Sequence, residues 1–519
     1  MSTPTGTTMG SASAPVEPAV PHRGIITICI MLATLIQSLD STIANVALPH
    51  MQGSLSASQD QITWVLTSYI VAAAIATPVT GWLCDHFGKK NVLLTSIVGF
   101  TVASALCGVS ISLPMIIAAR LLQGVFGASL VPLSQAILLD INPPEKQGQA
   151  MAIWGMGVMV GPILGPTLGG WLTDSYNWRW VFFINVPIGA FAVFGVFTYI
   201  KGEFLRRNTR FDFFGFATLS IAIGALQAML DRGEQQDWFG SIEIWCETLA
   251  CVISFMFFII HTATARGQSF FNRRLLADRN FVTGLVFIFV VGVILFATRA
   301  LLPPMLQTLM NYPVATAGLV VAPSGIGTMV AMMIAGRSIG RVDLRILIFT
   351  GLALTAFSLW QMAGYTIVLS ERNIVWPGVI QGLGLGFVFV PLSTLAFATL
   401  SREMRADGTA IFSLVRNIGS SIGISVVQTM LTQHTQIVHS TLVEHISRFN
   451  PLLHPSGQGP SAFALAAIDQ QITAQASMIG YIDDFKFMMW MSIVVIPLLL
   501  IIRPAKRVNR EDAAHAVMD

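Results

Sequence analysis

Fourteen apolar runs, each long enough to cross a lipid bilayer as a helix, dominate this sequence. A membrane-spanning helix needs about 20 predominantly apolar residues. Charged residues make up only 11% of the chain, against about 25% in ordinary soluble proteins, so most of the surface is expected to face lipid. The sequence therefore predicts an all-α membrane protein with fourteen transmembrane helices near 24–48, 61–83, 91–111, 114–139, 149–172, 180–200, 212–230, 242–264, 280–302, 314–336, 344–368, 374–399, 408–431 and 486–503.

The segments that join these runs alternate in charge. Most of the 29 Lys and Arg residues fall on one side of the predicted membrane, and an excess of basic residues marks the cytoplasmic side. Because the number of spans is even, both termini are expected in the cytoplasm. The tail 1–23 is rich in Ser, Thr, Pro and Ala, which predicts disorder. The one long loop, 432–485, is then external, and it is either a flexible connector or a docking surface or lid.

Two ionisable residues are predicted to lie deep within spans. Asp40 lies about 24 Å from the cytoplasmic end of the first span, and Arg120 lies about 9 Å from the external end of the fourth. Both depths fall in the outer half of the bilayer, so the side chains can meet. An ionisable group in a membrane is costly and is a functional candidate by default. The pair is interpreted as a proton-coupling site, and a structural ion pair that fixes helix register stays open as the alternative.

Polar residues accompany this pair. Gln37 and Gln123 lie about one helical turn from Asp40 and Arg120, which favours a wet cavity. Arg416, about 12 Å into the thirteenth span, is placed in the same cavity. The 33 Phe and 23 Met residues suit an adaptable apolar cavity. Because bases outnumber acids there, hydrophobic weak acids and neutral compounds are the predicted substrates.

Glycines recur at every fourth position of the fifth span and so line one helical face. Such a groove lets a neighbouring backbone approach closely, and two prolines are expected to bend the helix. Tight packing alone accounts for the pattern, and a helix shaped to rock against its partner is the functional alternative. The residues are Gly157, Gly161, Pro162, Gly165, Pro166 and Gly169.

The turn between the second and third spans reads GWLCDHFGKK. A basic cytoplasmic turn accounts for it, and a latch in which Asp85 meets a base on the other half of the protein is the functional alternative. A degenerate copy, GRSIGRVDLR at 336–345, hints at two related halves, as transporters often have. The candidate gating residues of the first turn are Gly81, Asp85, Gly88, Lys89 and Lys90.

The residue patterns of ATP binding and of metal or disulfide sites are not found in this sequence, nor is a hydrolase pattern in the context that catalysis needs. The nucleotide-binding pattern GxxxxGK[ST] is absent, so ATP is not the expected energy source. Gly419, Ser421 and Gly423 fit the GxSxG pattern of hydrolases, but they fall inside an apolar helix and not at a strand–turn–helix elbow. The five cysteines show no metal or disulfide spacing. No cofactor, metal, nucleic-acid partner or enzymatic activity is expected.

Taken together, these motifs resemble the major facilitator superfamily, and more closely its fourteen-span drug:proton antiporter branch, which includes multidrug exporters of the EmrB type. One departure is His86, where the family more often has Arg, so a weaker or pH-sensitive latch is expected. The matching segments are LDSTIANVALPHM at 39–51, GWLCDHFGKK at 81–90, RLLQGVFGAS at 120–129, GPILGPTLGGWL at 161–172, WRWVFFINVPIG at 178–189 and YIDDF at 481–485.

The resemblance implies a fold and a setting. The fold has six-helix bundles at 24–200 and 280–503, the second including the external loop 432–485, with two extra transmembrane helices within 201–279 and cytoplasmic tails at 1–23 and 504–519. The setting is the inner membrane of a Gram-negative bacterium. The implied partners are a periplasmic adaptor (a membrane fusion protein), expected to contact the long external loop, and an outer-membrane channel.

The predicted function is proton-coupled antiport that exports hydrophobic drugs and toxic compounds from the cytoplasm or inner leaflet, as the inner-membrane part of a tripartite efflux system. Separation from Arg120 would make Asp40 take up an external proton, and re-pairing would release it inside. A major facilitator importer of a metabolite or siderophore is the alternative within transport. An intramembrane hydrolase or a sensor is the alternative from another class.

Overall fold

The computed structural model describes residues 22–200, 211–264, 273–444 and 462–502, and the regular elements among them are helices. The predicted all-α class is therefore confirmed. Most of the two predicted tails, 1–23 and 504–519, lies outside the described residues. The long helices are α1 Arg23–Ser54, α2 Gln61–Phe87, α3 Lys89–Gly108, α4 Leu113–Ile141, α5 Glu145–Ser175, α6 Trp180–Tyr199, α7 Phe213–Arg232, α8 Ile242–Thr264, α9 Arg279–Leu309, α10 Thr316–Ser338, α11 Leu344–Met362, α12 Glu371–Ala398, α13 Arg402–Glu444 and α14 Ala462–Val495.

Within the described residues, α1 to α13 are the 13 helices long and apolar enough to cross a membrane, one fewer than predicted. The fourteenth predicted span, 486–503, falls in the second half of α14 and the 3-10 turn Ile496–Leu500. Its apolar stretch is short because Asp483, Asp484 and Lys486 precede it. α14 nevertheless packs against α9, α11 and α13.

The segment predicted as a long loop, 432–485, is helical at both ends, which corrects its boundaries. α13 continues to Glu444 and α14 begins at Ala462, because the polar residues there still form regular helix. The stretch from Ala462 to Phe485 is helical, as its amphipathic pattern allows. His439 of α13 and Asp469 of α14 form an ion pair at 3.1 Å, so the two extensions lie side by side.

The packing of the helices repeats in two sets of six. In the first set, α1 packs against α4, α5 and α6, while α4 packs against α2 and α3, and α3 against α6. In the second set, α9 packs against α12, α13 and α14, while α12 packs against α10 and α11, and α11 against α14. The same neighbours thus occur in α1–α6 and α9–α14, as expected for two related six-helix bundles. The bundles meet where α5 packs against α10 and α12, and where α13 packs against α2 and α4.

The remaining pair, α7 and α8, lies at the side of this interface. Gln227 of α7 accepts a hydrogen bond from Ser421 of α13 at 2.8 Å, and Asp231 of α7 accepts one from Thr67 of α2. Helix α7 therefore bonds to both bundles. Helix α8 packs on α7, and only 11% of its most apolar stretch is buried, so it presents almost its whole circumference to lipid.

Helix α5 packs closely along α1 through the predicted glycine face. Gly157, Gly161, Gly165 and Gly169 lie against successive turns of α1 that begin at Met31. A Cβ atom on Gly161 would lie 2.7 Å from the backbone nitrogen of Leu39, a position that backbone atoms cannot vacate. The glycines therefore fix how near the two helices approach.

The prolines of α5 leave its helix unbroken from Pro144 to Ser175. Pro162 has no N–H with which to bond the carbonyl of Val158 one turn earlier. That carbonyl instead accepts a hydrogen bond of 2.8 Å from Ser38 of α1. The proline thus exposes an acceptor that joins α5 to the neighbouring helix, two residues before Asp40.

We expect Gly161→Ala to lower the free energy of unfolding by about 1–3 kcal/mol, because an added methyl group would overpack against the backbone of α1. Thermal unfolding of the purified protein in detergent measures this change. Gly170→Ala, on the same helix, is the matched control, since the nearest atom to its Cβ would be 4.0 Å away. Equal destabilisation by both substitutions would contradict the packing explanation.

Candidate functional site

The structure brings Asp40 of α1 and Arg120 of α4 together in a fully buried ion pair. Nη1 of Arg120 donates to Oδ2 of Asp40 at 2.6 Å, and their side chains are 1% and 0% exposed. The pair lies within the first bundle, at the level of α1 where the α5 glycines pack. Sequence reasoning predicted this contact from depth alone.

Four further polar groups complete the site. Gln123 and Asn185 donate to Oδ1 of Asp40 at 2.9 and 3.2 Å. Nη1 of Arg120 also donates to Oε1 of Gln123 at 2.7 Å, and its Nε donates to the backbone carbonyl of Val65 at 3.0 Å. Asn185 donates in addition to Ser104 at 3.0 Å. Both oxygens of Asp40 are therefore satisfied by donors from α4 and α6.

Aromatic rings and a glycine set this geometry. Cζ of Arg120 lies 4.4 Å from the ring centroid of Tyr69 and 5.7 Å from that of Phe182, and such contacts favour a cation. Gly124 allows α4 to approach the backbone carbonyl of Tyr69 on α2. That close approach brings Nε of Arg120 within reach of Val65, one turn before Tyr69.

The arrangement links protonation of Asp40 to its contact with Arg120. In the observed geometry both oxygens of Asp40 accept hydrogen bonds, as those of a carboxylate do. A proton on either oxygen would remove the negative charge that neutralises Arg120. Leaving Arg120 buried without a counter-ion would cost about 3–5 kcal/mol. Proton uptake by Asp40 and the closed ion pair therefore exclude each other.

The residues predicted to line a cavity are not brought together. Gln123 belongs to the ion-pair network and is 0% exposed. Gln37 is half-buried, and none of the described hydrogen bonds joins it to Asp40 or Arg120. Arg416 of α13 is also half-buried, and its Nε has no hydrogen-bond partner among the described residues. A wet cavity at these residues stays a prediction.

Arg299 lies where the two bundles meet. Nη2 of Arg299, on α9, approaches Sδ of Met159 on α5 at 3.8 Å. The sequence analysis did not single out Arg299. Like Arg416, it has no carboxylate partner among the described ion pairs.

The second bundle holds an uncharged counterpart of the ion-pair site. Helices α9 and α12 occupy the places of α1 and α4 in the repeated packing. Gln381 of α12 donates to Oγ1 of Thr298 on α9 at 2.9 Å, as Gln123 donates to Asp40. At this position the first bundle therefore has a charged pair, and the second bundle has a neutral pair.

At the end of the molecule that carries the GWLCDHFGKK turn, an ion pair joins the bundles. Nη1 of Arg405, on α13, donates to Oδ1 of Asp140 at 3.0 Å and to the carbonyl of Leu139 at 2.9 Å. Oδ2 of Asp140 pairs with Lys89. This contact between the bundles uses Asp140, which sequence reasoning missed. The latch through Asp85 stays a prediction.

The glycines of this turn have separate roles. Gly81 faces the carboxylate of Asp407 on α13, which occupies the space that a Cβ would need. Gly88 has φ 81°, a conformation that favours glycine, and it lies between α2 and α3. Gly340, in the degenerate copy, has φ 87°. Lys90 donates to the carbonyl of Phe197 in its own bundle at 2.8 Å, so it takes no part in the latch.

The GxSxG match is a packing surface, as the sequence analysis preferred. Gly419 and Gly423 of α13 lie against the backbone of α9 at Phe289 and Val293. They allow α13 to pack closely on α9, as the glycines of α5 allow that helix to pack on α1. Asn185 and Asp140 were missed because a single polar residue in or beside an apolar helix has no spacing that reveals its partner.

Comparisons with known proteins agree with this architecture. The family model of the Major Facilitator Superfamily matches residues 30–424. The multidrug export protein EmrB of Escherichia coli K12 is 38% identical over 92% of this chain and 94% of its own length. The fatty acid resistance protein FarB of Neisseria gonorrhoeae is 34% identical over 92% of this chain and 96% of its own length.

A solved structure gives the same fold. The proton:xylose symporter XylE superposes with a TM-score of 0.61 at 13% identity, over 93% of this chain and 97% of that chain. Since the family model covers most of the chain and these relatives match nearly all of it, this protein belongs to the major facilitator superfamily, in the group of EmrB-type multidrug export proteins.

Proposed function

We propose that this protein is a proton-coupled antiporter that exports hydrophobic compounds, with hydrophobic weak acids among its preferred substrates. The observation that carries the proposal is the buried pair of Asp40 and Arg120, in which proton binding and ion pairing exclude each other. The protein binds, moves and releases its substrates unchanged, so no enzymatic step is assigned. Support for export comes from the relatives named multidrug export proteins.

Alternating access between the two bundles couples the proton to the substrate. Separating Asp40 from Arg120 exposes a carboxylate that binds a proton from outside, and re-forming the pair releases it inside. A proton moving down 100 mV supplies about 2.3 kcal/mol. That energy sustains about a fifty-fold gradient of a neutral substrate.

The proposed orientation places both termini in the cytoplasm of a bacterial inner membrane. Basic residues favour this assignment, since Lys89, Lys90 and Arg405 cluster at the end closed by Asp140. In this orientation the structure is closed toward the cytoplasm. The Asp140–Arg405 contact is then an inner gate that must break before substrate enters from the cytoplasm or inner leaflet.

Two arginines without a described carboxylate partner support a preference for acidic substrates. Arg299 and Arg416 lie within spans without a described carboxylate partner, and an anionic substrate would supply one. FarB, a relative of nearly full-length similarity, is named for resistance to fatty acids. The fluorescent hydrophobic anion anilinonaphthalene sulfonate is a suitable probe, because its sulfonate carries no proton across the membrane.

The proposed partners are a periplasmic adaptor and an outer-membrane channel. Helix α13 has 43 residues, so it is about 65 Å long and about twice as long as a bilayer core is thick. It starts beside the inner gate, and its far part therefore projects outside together with the start of α14. The exposed apolar residues Ile437, Val443 and Leu465 on these extensions give an adaptor a surface on which to pack.

We expect Asp40→Asn to abolish proton-driven uptake of anilinonaphthalene sulfonate into inside-out proteoliposomes, because Asn binds no proton. Its unfolding temperature should also fall, since Arg120 loses its counter-ion. Adding Arg120→Gln should recover stability without recovering transport. Asp174→Asn, at an exposed carboxylate of α5, should behave as wild type. Proton-driven transport by Asp40→Asn at the wild-type rate would place the carrier elsewhere.

We expect Arg405→Gln to open the inner gate, because it removes charge-assisted hydrogen bonds worth about 1.5–3 kcal/mol. Cys84 reports the change, since it is 5% exposed and lies within electrostatic reach of Asp407, Lys89 and Asp140. In a variant that retains only this cysteine, maleimide labelling should accelerate about tenfold or more. Lys90→Gln should leave labelling unchanged, and an equal rate in both variants would disprove the gate.

A further inference from the structure

Asp484, in the YIDDF segment of α14, is a buried acid that the proposed mechanism does not use. Its side chain is 0% exposed. Neither carboxylate oxygen has a hydrogen-bond partner among the described residues. None of the described ion pairs includes it, in contrast to Asp40, whose two oxygens accept three hydrogen bonds.

Buried apolar and aromatic residues lie beside Asp484 along α14 and on the neighbouring helices. Phe485 and Met488 on the same helix are each 0% exposed, and Tyr481 is 5% exposed. On the α11 side, Tyr365 packs its ring at 5.9 Å from that of Phe485. On the α9 side, the thioether of Met488 accepts from Thr298 at 3.7 Å.

The nearby bases are engaged elsewhere. His434 of α13 bonds to Oδ2 of Asp483 at 3.1 Å, and Lys486 bonds to Oδ1 of Asp483 at 3.2 Å. Arg299 of α9 extends toward Met159 of α5. Asp483, the neighbouring acid, thus bonds to both His434 and Lys486, and none of the described ion pairs gives Asp484 a base.

An ionised carboxylate in such surroundings is costly by several kcal/mol, and a group without a partner neutralises instead. Asp484 is therefore a neutral carboxylic acid in this conformation. The adjacent residue Asp483 has a side chain that is 30% exposed and bonds to His434.

Asp484 lies close to the uncharged counterpart of the Asp40 site. Met488, one turn after Asp484, contacts Thr298, and Thr298 accepts from Gln381 in the uncharged counterpart of the Asp40 site. Among the described residues, each bundle thus contains one fully buried acid. The first acid is ionised in its closed pair, and the second is protonated without a partner.

We propose that Asp484 is a second proton-binding site of the antiporter, loaded in this conformation and unloaded when the bundles rearrange. The step is the dissociation of a carboxylic acid to a carboxylate and a proton, with no other reactant. This inference rests on the proposed proton-coupled function. It adds one proton per cycle to the proton carried by Asp40.

The protonation of Asp484 is testable without transport. Infrared spectra of the full-length protein in lipid at neutral pH should show the C=O stretching band of a protonated carboxylic acid. Asp484→Asn should remove this band, while Asp484→Glu and the adjacent Asp483→Asn should keep it. An unchanged band in Asp484→Asn, or its absence from the wild type, would overturn the proposal.

The role of the proton is tested by the proton-to-substrate ratio, measured from the reversal potential of anilinonaphthalene sulfonate exchange in proteoliposomes. Asp484→Asn should lower the ratio by one while exchange stays proton-coupled, Asp484→Glu should restore it, and Asp483→Asn should match the wild type. A wild-type ratio in Asp484→Asn would disprove the second site. Wild-type coupling in Asp40→Asn would instead refute the proposed function at Asp40, and the infrared result would be unaffected.

Discussion

The buried ion pair of Asp40 and Arg120 is the interaction on which the first bundle depends. Two opposite charges are stable in an apolar interior when further hydrogen bonds satisfy the atoms that carry them. This requirement explains why α4 must approach α2 at Gly124 and why α6 contributes Asn185. It also explains the tight α1–α5 contact, because α1 must hold Asp40 within a fraction of an ångström of its donors.

Apolar run length and buried charge predicted most of the fold and the centre of the site. The thirteen long helices lie near thirteen of the predicted spans, because hydrocarbon thickness dictates helix length. The end of α13 up to Glu444 was not predicted as helix, since its polar sequence is compatible with either loop or helix. Asp140 was missed because it stands at a helix end, where an acid needs no partner until the opposite bundle supplies Arg405.

The two bundles share one packing pattern, but they differ in the charge of the equivalent buried polar pair. Where the first bundle holds Asp40 against Gln123, the second holds Thr298 against Gln381. The neutral pair keeps the geometry of the hydrogen bond without the cost of burying a charge. The buried ion pair is therefore found in the first bundle, around Arg120, while the second bundle retains an unpaired acid on α14.

Helix α7 is hydrogen-bonded to α2 of one bundle and to α13 of the other, and α8 packs on it. Any change in the angle between the bundles must strain or exchange one of these bonds. The displacement passes to α8, which is surrounded by acyl chains, so lipid has to be rearranged as the bundles move. The thickness and lateral pressure of the bilayer thereby enter the energy difference between the two ends of the cycle.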